Sequence, residues 1–158
     1  MKTQRTKDLE RLLDKKFNKN NDFYVFECTY GWSGKEIVDC IMYNCQREVC
    51  CYEIKQSLQD FHSKNKLSFF GNKNYFVMPY DLYKKVENEI YNNFPNVGVY
   101  VPIKTPICGD KDYTYDVYDQ LLCVKQARRQ ELKADKEVIL SSMLRSMQRD
   151  RILNWDEG

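Results

Sequence analysis

Three carboxylic acids and one lysine lie within segments of the sequence that otherwise have the apolar character of β-strands. Glu27 lies in FYVFECTY, Asp39 in EIVDCIMY, and Glu53 and Lys55 in VCCYEIK. Charged side chains are rarely buried unless they are paired or bind a metal ion. These residues therefore belong either to the solvated face of a sheet or to a site at which another group satisfies their charges.

The spacing between the three segments predicts that the charges lie close together. A turn centred on Gln46 places Asp39 directly opposite Glu53, and a turn centred on Ser33 places Glu27 opposite Asp39. Side chains alternate between the faces of a strand, so a register slip of two residues would keep these groups on one face. Directly opposed side chains have Cβ atoms about 5 Å apart, a distance at which like charges destabilise a sheet.

A divalent hard cation, Mg²⁺ or Mn²⁺, would satisfy such a cluster, because these ions prefer carboxylate and carbonyl oxygens. A cation there could polarise a phosphodiester and lower the pKa of a bound water, while Lys55 would stabilise charge in the transition state or position the nucleophile. The residues alone leave the alternative open that Glu27, Asp39, Glu53 and Lys55 form a salt-bridged surface that faces solvent.

The hydrophobic periodicity of the remaining sequence predicts one α/β (or α+β) domain with a mixed sheet. The predicted strands span residues 23–30, 36–43, 49–55, 74–78, 97–101 and 121–125, and the predicted helices span residues 6–17, 57–66, 81–94 and 127–152. Ser57 is the predicted N-cap of the second helix, in the capping box SLQD. The domain covers residues 1–158, with a core of about residues 5–125 and a basic C-terminal helix of about residues 127–152. The apolar face of that helix comprises Ile139, Leu140, Met143, Leu144 and Met147.

The composition indicates a globular protein of the cytoplasm. Hydrophobic residues make up 42% and charged residues 30% of the chain, and no apolar run is long enough to span a bilayer. The first 17 residues contain no apolar signal segment. The seven cysteines are odd in number and lack the spacing of a disulfide scaffold, so reduced thiols are expected.

Both ends of the chain are net basic, which favours a polyanionic partner such as DNA. We expect Lys15, Lys16, Arg128 and Arg129 to contact phosphates, without reading sequence. An ordinary pair of solvated helices is the alternative.

The pattern of Asp39, thirteen residues, and then Glu53-Ile54-Lys55 resembles the PD-(D/E)XK nuclease superfamily, with Val38 in place of the proline. Residues 23–102 are also similar to the MmcB-like DNA-repair branch of that superfamily and its phage and prophage relatives. The shared motifs are an E-x-T strand, a V-D strand, a strand ending in EIK, a helix start DFHSK, a strand with YFVMP and a strand with GVYV.

This resemblance implies a restriction-endonuclease-like αβββαβ core with a metal site on the sheet. Glu27, Asp39 and Glu53 match the acidic positions of the family and Lys55 matches its lysine, while the carbonyl of Ile54 is implied as a further metal ligand. Four polar residues after this strand are candidate accessory residues: Gln56, Asp60, His62 and Lys64. Among them the single histidine has the most interest, although it is equally typical of a helix surface.

The sequence therefore predicts a Mg²⁺- or Mn²⁺-dependent deoxyribonuclease that hydrolyses DNA phosphodiester bonds in the cytoplasm of a bacterium or a phage-infected host. The prediction includes a phage-encoded enzyme of DNA repair, recombination or restriction. The alternative is a non-catalytic DNA-binding or phage assembly protein that retains the fold. A third option is a nuclease that acts only as a homodimer or with a protein partner.

Overall fold

The computed structural model describes residues 2–31, 36–64, 66–104 and 118–156. It contains six strands and four helices within those ranges. In chain order these are α1 (Gln4–Asn20), β1 (Phe23–Tyr30), β2 (Glu36–Tyr43), β3 (Val49–Ile54), α2 (Leu58–Phe61), β4 (Lys73–Val77), α3 (Tyr80–Asn93), β5 (Gly98–Ile103), β6 (Gln120–Lys125) and α4 (Lys136–Asp156).

The six strands form one mixed sheet in the order β1-β2-β3-β4-β5-β6. The pairs β1–β2, β2–β3 and β5–β6 are antiparallel, whereas β3–β4 and β4–β5 are parallel. The element order begins α-β-β-β-α-β, and helices flank the sheet. The predicted mixed α/β fold is therefore confirmed, including the sixth strand and the C-terminal helix.

Helices cover both faces of the sheet because side chains of the central strands alternate in direction. Tyr75 and Val77 of β4 pack with Leu13 in the cluster beneath α1. Phe76, between them, packs with Val86 in the cluster beneath α3. The helix α4 packs mainly against β1, on the same face as α3.

Both predicted hairpin registers are confirmed. Phe26 lies opposite Cys40, as a turn centred on residue 33 requires, and Cys40 lies opposite Tyr52, as a turn centred on residue 46 requires. The turn residues 32–35 themselves lie outside the described residues.

In the middle of the β1–β2 hairpin, the alternation of side chains between the two faces of the sheet shifts by one residue, which we call the phase change. Val25 and Cys28 are three residues apart, yet both are buried in the cluster beneath α4, and Val38 and Ile41 of β2 behave in the same way. Strict alternation would put residues three apart on opposite faces. Glu27 accommodates the change with a φ of 52°, in the left-handed region that non-glycine residues rarely adopt. Because the opposed part of β2 shifts too, the register is the same on both sides of the change.

The helix α2 is shorter than predicted. The Ser57 side chain is its N-cap, as predicted, and accepts a hydrogen bond at 3.1 Å from the N–H three residues later. The helix nevertheless ends at Phe61 instead of continuing to residue 66. Residues 66–70 belong to no helix or strand, and the N–H of Ser68 donates to the buried carboxylate of Glu53 at 3.1 Å.

The C-terminal helix begins at Lys136, so the predicted start at residue 127 is wrong. The backbone N–H groups of Arg128, Gln130 and Lys133 donate to carbonyl groups in loops of the preceding chain. These long-range bonds hold the segment before α4 in a non-helical conformation, because N–H groups bonded to distant loops are not available for the first turns of a helix.

The buried face of α4 also differs from the predicted one at Leu144, whose surface is 66% exposed. Ile139 and Met143 are buried as predicted, and they share the face with Ser142 and Ser146. The hydroxyl of Ser142 donates to a backbone carbonyl one turn earlier, so this small polar residue is buried without an unpaired donor.

The described residues bear on the predictions about membrane-spanning segments and about the cysteines. No helix within the described ranges is long and apolar enough to cross a membrane. The six described cysteines are free thiols, as predicted, and Cys108 lies outside the described residues.

Adjacent residues of α4 give a direct test of its buried face. Met143→Ala should lower the free energy of unfolding by about 2–5 kcal/mol, because it removes a fully buried side chain. Leu144→Ala should change it by less than about 0.5 kcal/mol, because that side chain lies mostly in solvent. Urea denaturation of both variants and the wild type measures the difference. Similar destabilisation of the two variants would contradict the face seen in the structure.

Candidate functional site

A cavity opens where the β1–β2 hairpin separates from the rest of the sheet. The pairing of β2 with β3 ends at Cys40 and Tyr52, whereas the pairing of β1 with β2 continues to Tyr30 and Glu36. The cavity in this fork has a volume of about 510 Å³. Its lining includes six carboxylates and three lysines, namely Glu10, Glu27, Glu36, Asp39, Glu53, Asp60, Lys2, Lys55 and Lys66. We call it the carboxylate cavity.

Asp39 is held at the point where the two strands separate. Its Oδ2 accepts a hydrogen bond at 2.8 Å from the backbone N–H of Ile54. The side chain thus takes the place of a backbone acceptor just past the last paired residues of β2 and β3. This bond fixes the Asp39 carboxylate beside the end of β3, and Ile54 itself also lines the cavity.

Glu53 is a buried carboxyl group next to Asp39. The residue is only 4% exposed. Burial, followed by the nearby charge of Asp39, raises the pKa of Glu53 to about 8, although the N–H of Ser68 and the charge of Lys55 oppose the shift. Burial beside Asp39 thus favours the protonated form of Glu53 far more than in a solvated glutamate.

Lys55 brings a buried cation to the same wall. The residue is 4% exposed, and its backbone N–H donates to the carbonyl of Val77 at 2.9 Å, which fixes the end of the EIK segment on β4. Within the described part of the chain, its ammonium group has no ion pair within 4 Å. This leaves the ammonium group able to contact an anion in the cavity.

Glu27 lies at the rim and has a counter-charge within the protein. Its side chain is 57% exposed and lies 3.1 Å from the ammonium group of Lys2, which also contacts Glu10. Among the described residues, no three His, Cys, Asp or Glu side chains are grouped closely enough to hold a metal ion. Of the three predicted acidic ligands, Asp39 and Glu53 therefore lie together, and Glu27 lies beside them at the rim of the cavity.

The Asp39–Glu53 pair suits a hard divalent cation. Carboxylate oxygens are the preferred ligands of Mg²⁺ and Mn²⁺. The raised pKa of Glu53 beside Asp39 also indicates a place where positive charge is needed. A cation could supply that charge in place of the proton.

Sequence reasoning missed a polar bridge on the far side of Glu53. The hydroxyl of Ser68 donates to Glu36 at 2.9 Å, and Lys66 lies 3.4 Å from the same carboxylate. Strict alternation from Asp39 would have placed Glu36, three residues earlier, on the opposite face of β2. The phase change of the hairpin brings it into the cavity instead.

The accessory candidates divide into two groups. Gln56 and Asp60 line the carboxylate cavity, and Asp60 accepts a hydrogen bond at 3.0 Å from the N–H of Gln56. His62 and Lys64 are not among the residues that line it. The Nε2 atom of His62 instead lies 2.9 Å from the carboxylate of Glu89 on α3.

The four candidate DNA-binding residues also lie away from the cavity. Lys15 and Lys16 are near the C-terminal end of α1, whose N-terminal end lines the cavity. A rise of 1.5 Å per residue puts Lys16 about 15 Å along the helix from Thr6. Arg129 forms an ion pair with Glu48 at 2.8 Å, and Arg128 follows β6.

The raised pKa of Glu53 predicts a pH dependence of stability in the metal-free protein. Between about pH 4.5 and pH 8 the folded protein keeps the Glu53 proton that the unfolded chain releases, so the free energy of unfolding should fall as pH rises through this window. Glu53→Gln should remove this part of the slope, as measured by urea denaturation in the presence of a chelator.

Glu48→Gln is the matched control for this measurement. Although burial disfavours ionisation of Glu48, hydrogen bonds from Arg129 and Asn44 hold its pKa below the usual value. Removal of Glu48 should leave the slope between about pH 6 and pH 8 unchanged. Parallel pH profiles for the wild type and Glu53→Gln would contradict the protonated state of Glu53.

The comparisons with known proteins establish a fold but no activity. No protein-family model and no curated protein matches the chain. A solved structure, the SPO1766 protein of unknown function from Silicibacter pomeroyi, is similar with a TM-score of 0.68 and 15% sequence identity. The similarity covers 100% of this chain and 97% of that chain, so the two proteins share a fold over nearly their whole lengths. The comparisons lend no support to the PD-(D/E)XK resemblance, which stays a prediction from the sequence.

Proposed function

We propose that this protein is a nuclease that hydrolyses DNA phosphodiester bonds with Mg²⁺ or Mn²⁺ bound in the carboxylate cavity. The observation that carries the proposal is that Asp39 and the buried residues Glu53 and Lys55 line one cavity, with the Asp39 carboxylate fixed by the N–H of Ile54. Two facing carboxyl groups and a buried lysine lower the stability of the fold. Groups of this kind are found mostly at functional sites. The motif resemblance adds DNA as the substrate and a setting in bacterial or phage DNA metabolism.

Each residue of this set has a distinct role in the proposal. Asp39 and Glu53, together with the carbonyl of Ile54, hold the cation. The cation would supply polarisation of the phosphodiester and activation of a water molecule. Lys55 stabilises the negative charge that develops on the phosphate oxygens, and its burial strengthens this interaction because the surrounding dielectric is low.

A non-catalytic DNA-binding or phage assembly protein is the second candidate. The contacts of Lys2 favour it, because this side chain already supplies positive charge to Glu27 and Glu10 from within the protein. The bridge from Ser68 to Glu36 likewise satisfies a carboxylate without a cation. In this candidate Glu10, Glu27 and Glu36 are satisfied by contacts within the protein and need no cation.

Thermal unfolding with added Mn²⁺ separates the two candidates. At a free concentration of Mn²⁺ a hundredfold above its Kd, binding should stabilise the wild type by about 2.7 kcal/mol. Asp39→Asn should lose this gain but remain folded, because an amide oxygen can still accept the Ile54 hydrogen bond. Glu36→Gln, in the same cavity, should keep the gain. Equal reductions in both variants would indicate diffuse attraction to an acidic surface.

Lys55→Met tests chemistry separately from metal binding. Methionine fills a similar buried volume but carries no charge, so the Mn²⁺-dependent stabilisation should persist while the rate of DNA cleavage falls by about a hundredfold or more. Lys66→Met is the control, because it removes a cation of the same cavity that is paired with Glu36. Cleavage of labelled single-stranded, duplex and branched DNA provides the measurement. A wild-type protein with neither cleavage nor stabilisation by Mn²⁺ would leave the non-catalytic candidate.

A further inference from the structure

A second pocket lies at the opposite end of α1 from the carboxylate cavity. Its volume is about 310 Å³. Its lining includes Lys16, Asn20, Asp22, Lys73, Tyr75 and Tyr100, and we call it the lysine–tyrosine pocket. A neighbouring hollow of about 320 Å³ shares Lys16 and Asn20 with it and adds Lys15 and Lys19. The two hollows together form a basic surface along the last turns of α1.

Stacked tyrosines form the floor of the lysine–tyrosine pocket. The ring centroids of Tyr52 and Tyr75 are 5.4 Å apart with nearly parallel planes, and those of Tyr75 and Tyr100 are 4.8 Å apart. Gly98 makes this arrangement possible, because a Cβ atom there would lie 2.6 Å from the Tyr75 ring. Tyr100 is the ring of the three that is partly exposed, so it is the one that a ligand can contact.

Two lysines line the pocket, and one of them lies over an aromatic ring. The ammonium group of Lys16 lies 5.1 Å from the centroid of the Tyr100 ring. Neither Lys16 nor Lys73 has an ion pair within 4 Å among the residues that the structure describes. Asp22 is the acidic residue that lines the same pocket. Asp22 interacts electrostatically with Lys16, and Glu48 with Lys73, but neither lysine is held in a direct ion pair within the described residues. The pocket therefore presents two lysines beside an aromatic floor, with Lys16 over the Tyr100 ring.

We propose that the lysine–tyrosine pocket binds a single strand of nucleic acid, with Lys16 and Lys73 on its phosphates and the ring of Tyr100 against a base. Lysines that follow the backbone and aromatic rings that stack on bases are the two components of binding to single strands. The side-chain amide of Asn20 adds hydrogen-bonding groups that suit a base or sugar, whereas that of Asn44 is bonded within its own turn. A duplex fits less well, because its bases are stacked on one another and cannot lie against Tyr100.

This inference extends the proposed function but does not depend on cleavage. At the 3.4 Å per nucleotide of a stacked duplex strand, the distance of about 15 Å along α1 corresponds to about four nucleotides, and an unstacked strand, which is more extended, covers it in fewer. A strand held in the lysine–tyrosine pocket could therefore reach the carboxylate cavity within a few nucleotides. Because the pocket is built from lysines and aromatic rings, binding there needs no divalent cation.

Fluorescence anisotropy with a labelled deoxythymidine strand of about 12 nucleotides, in a chelator at about 50 mM salt, tests the proposal. The double variant Lys16→Ala/Lys73→Ala should raise Kd by about tenfold. The slope of log K against log salt should also become shallower by about 0.7 for each phosphate that the variant no longer neutralises. Tyr100→Leu should weaken binding to the single strand without changing that slope. The wild type should bind a duplex of the same length more weakly than the strand.

The control is Lys84→Ala/Lys85→Ala, which removes the same charge from exposed positions of α3 on the other face of the sheet. It should leave Kd nearly unchanged. Equal weakening by the two double variants, or no binding by the wild type, would overturn the proposal. Asp39→Asn should retain strand binding in the chelator. If the wild type binds the strand but does not cleave DNA, the nuclease proposal is overturned and the proposal for the lysine–tyrosine pocket stands. Circular dichroism confirms that each variant is folded.

Discussion

One hydrogen bond, from the backbone N–H of Ile54 to the carboxylate of Asp39, determines where the sheet divides. A backbone acceptor at this point would let β2 and β3 pair further along, and the fork would close. Because a side chain accepts instead, the β1–β2 hairpin continues without β3, and the carboxylate cavity lies between them. The same bond holds Asp39 beside Glu53, which is one cause of the raised pKa of Glu53 after burial.

The phase change in the hairpin explains how one chain segment serves both the core and the cavity. Without it, Cys28 and Val38 would point away from α4, and the face of the hairpin beneath that helix would lose two of its fully buried side chains. Positive φ at a residue such as Glu27 costs on the order of 1–3 kcal/mol. The burial of the neighbouring side chains offsets this cost, since each fully buried apolar side chain contributes about 1.5–3 kcal/mol.

The parts of the fold that follow from periodicity could be predicted from the sequence. Strand positions, both hairpin registers and the meeting of Asp39 with Glu53 depend on alternation and turn length, which are local properties. The left-handed conformation of Glu27 has no local signature, so the entry of Glu36 into the cavity could not be foreseen. The late start of α4 and the early end of α2 depend on hydrogen bonds between distant segments, such as that from Ser68 to Glu53, and no local pattern encodes these.

Electrostatics gives a reason for separating binding from chemistry along α1. A cavity with six carboxylates and three lysines repels a phosphate group until further positive charge is present. A DNA strand would therefore not be attracted to the carboxylate cavity of the metal-free protein. Under the two proposals, the lysines at the far end of α1 outnumber the acidic residues of their pockets and attract the strand through a field that needs no cation. The helix then sets the distance between the phosphates that are bound and the one that would be cleaved, because its rise per residue is constant.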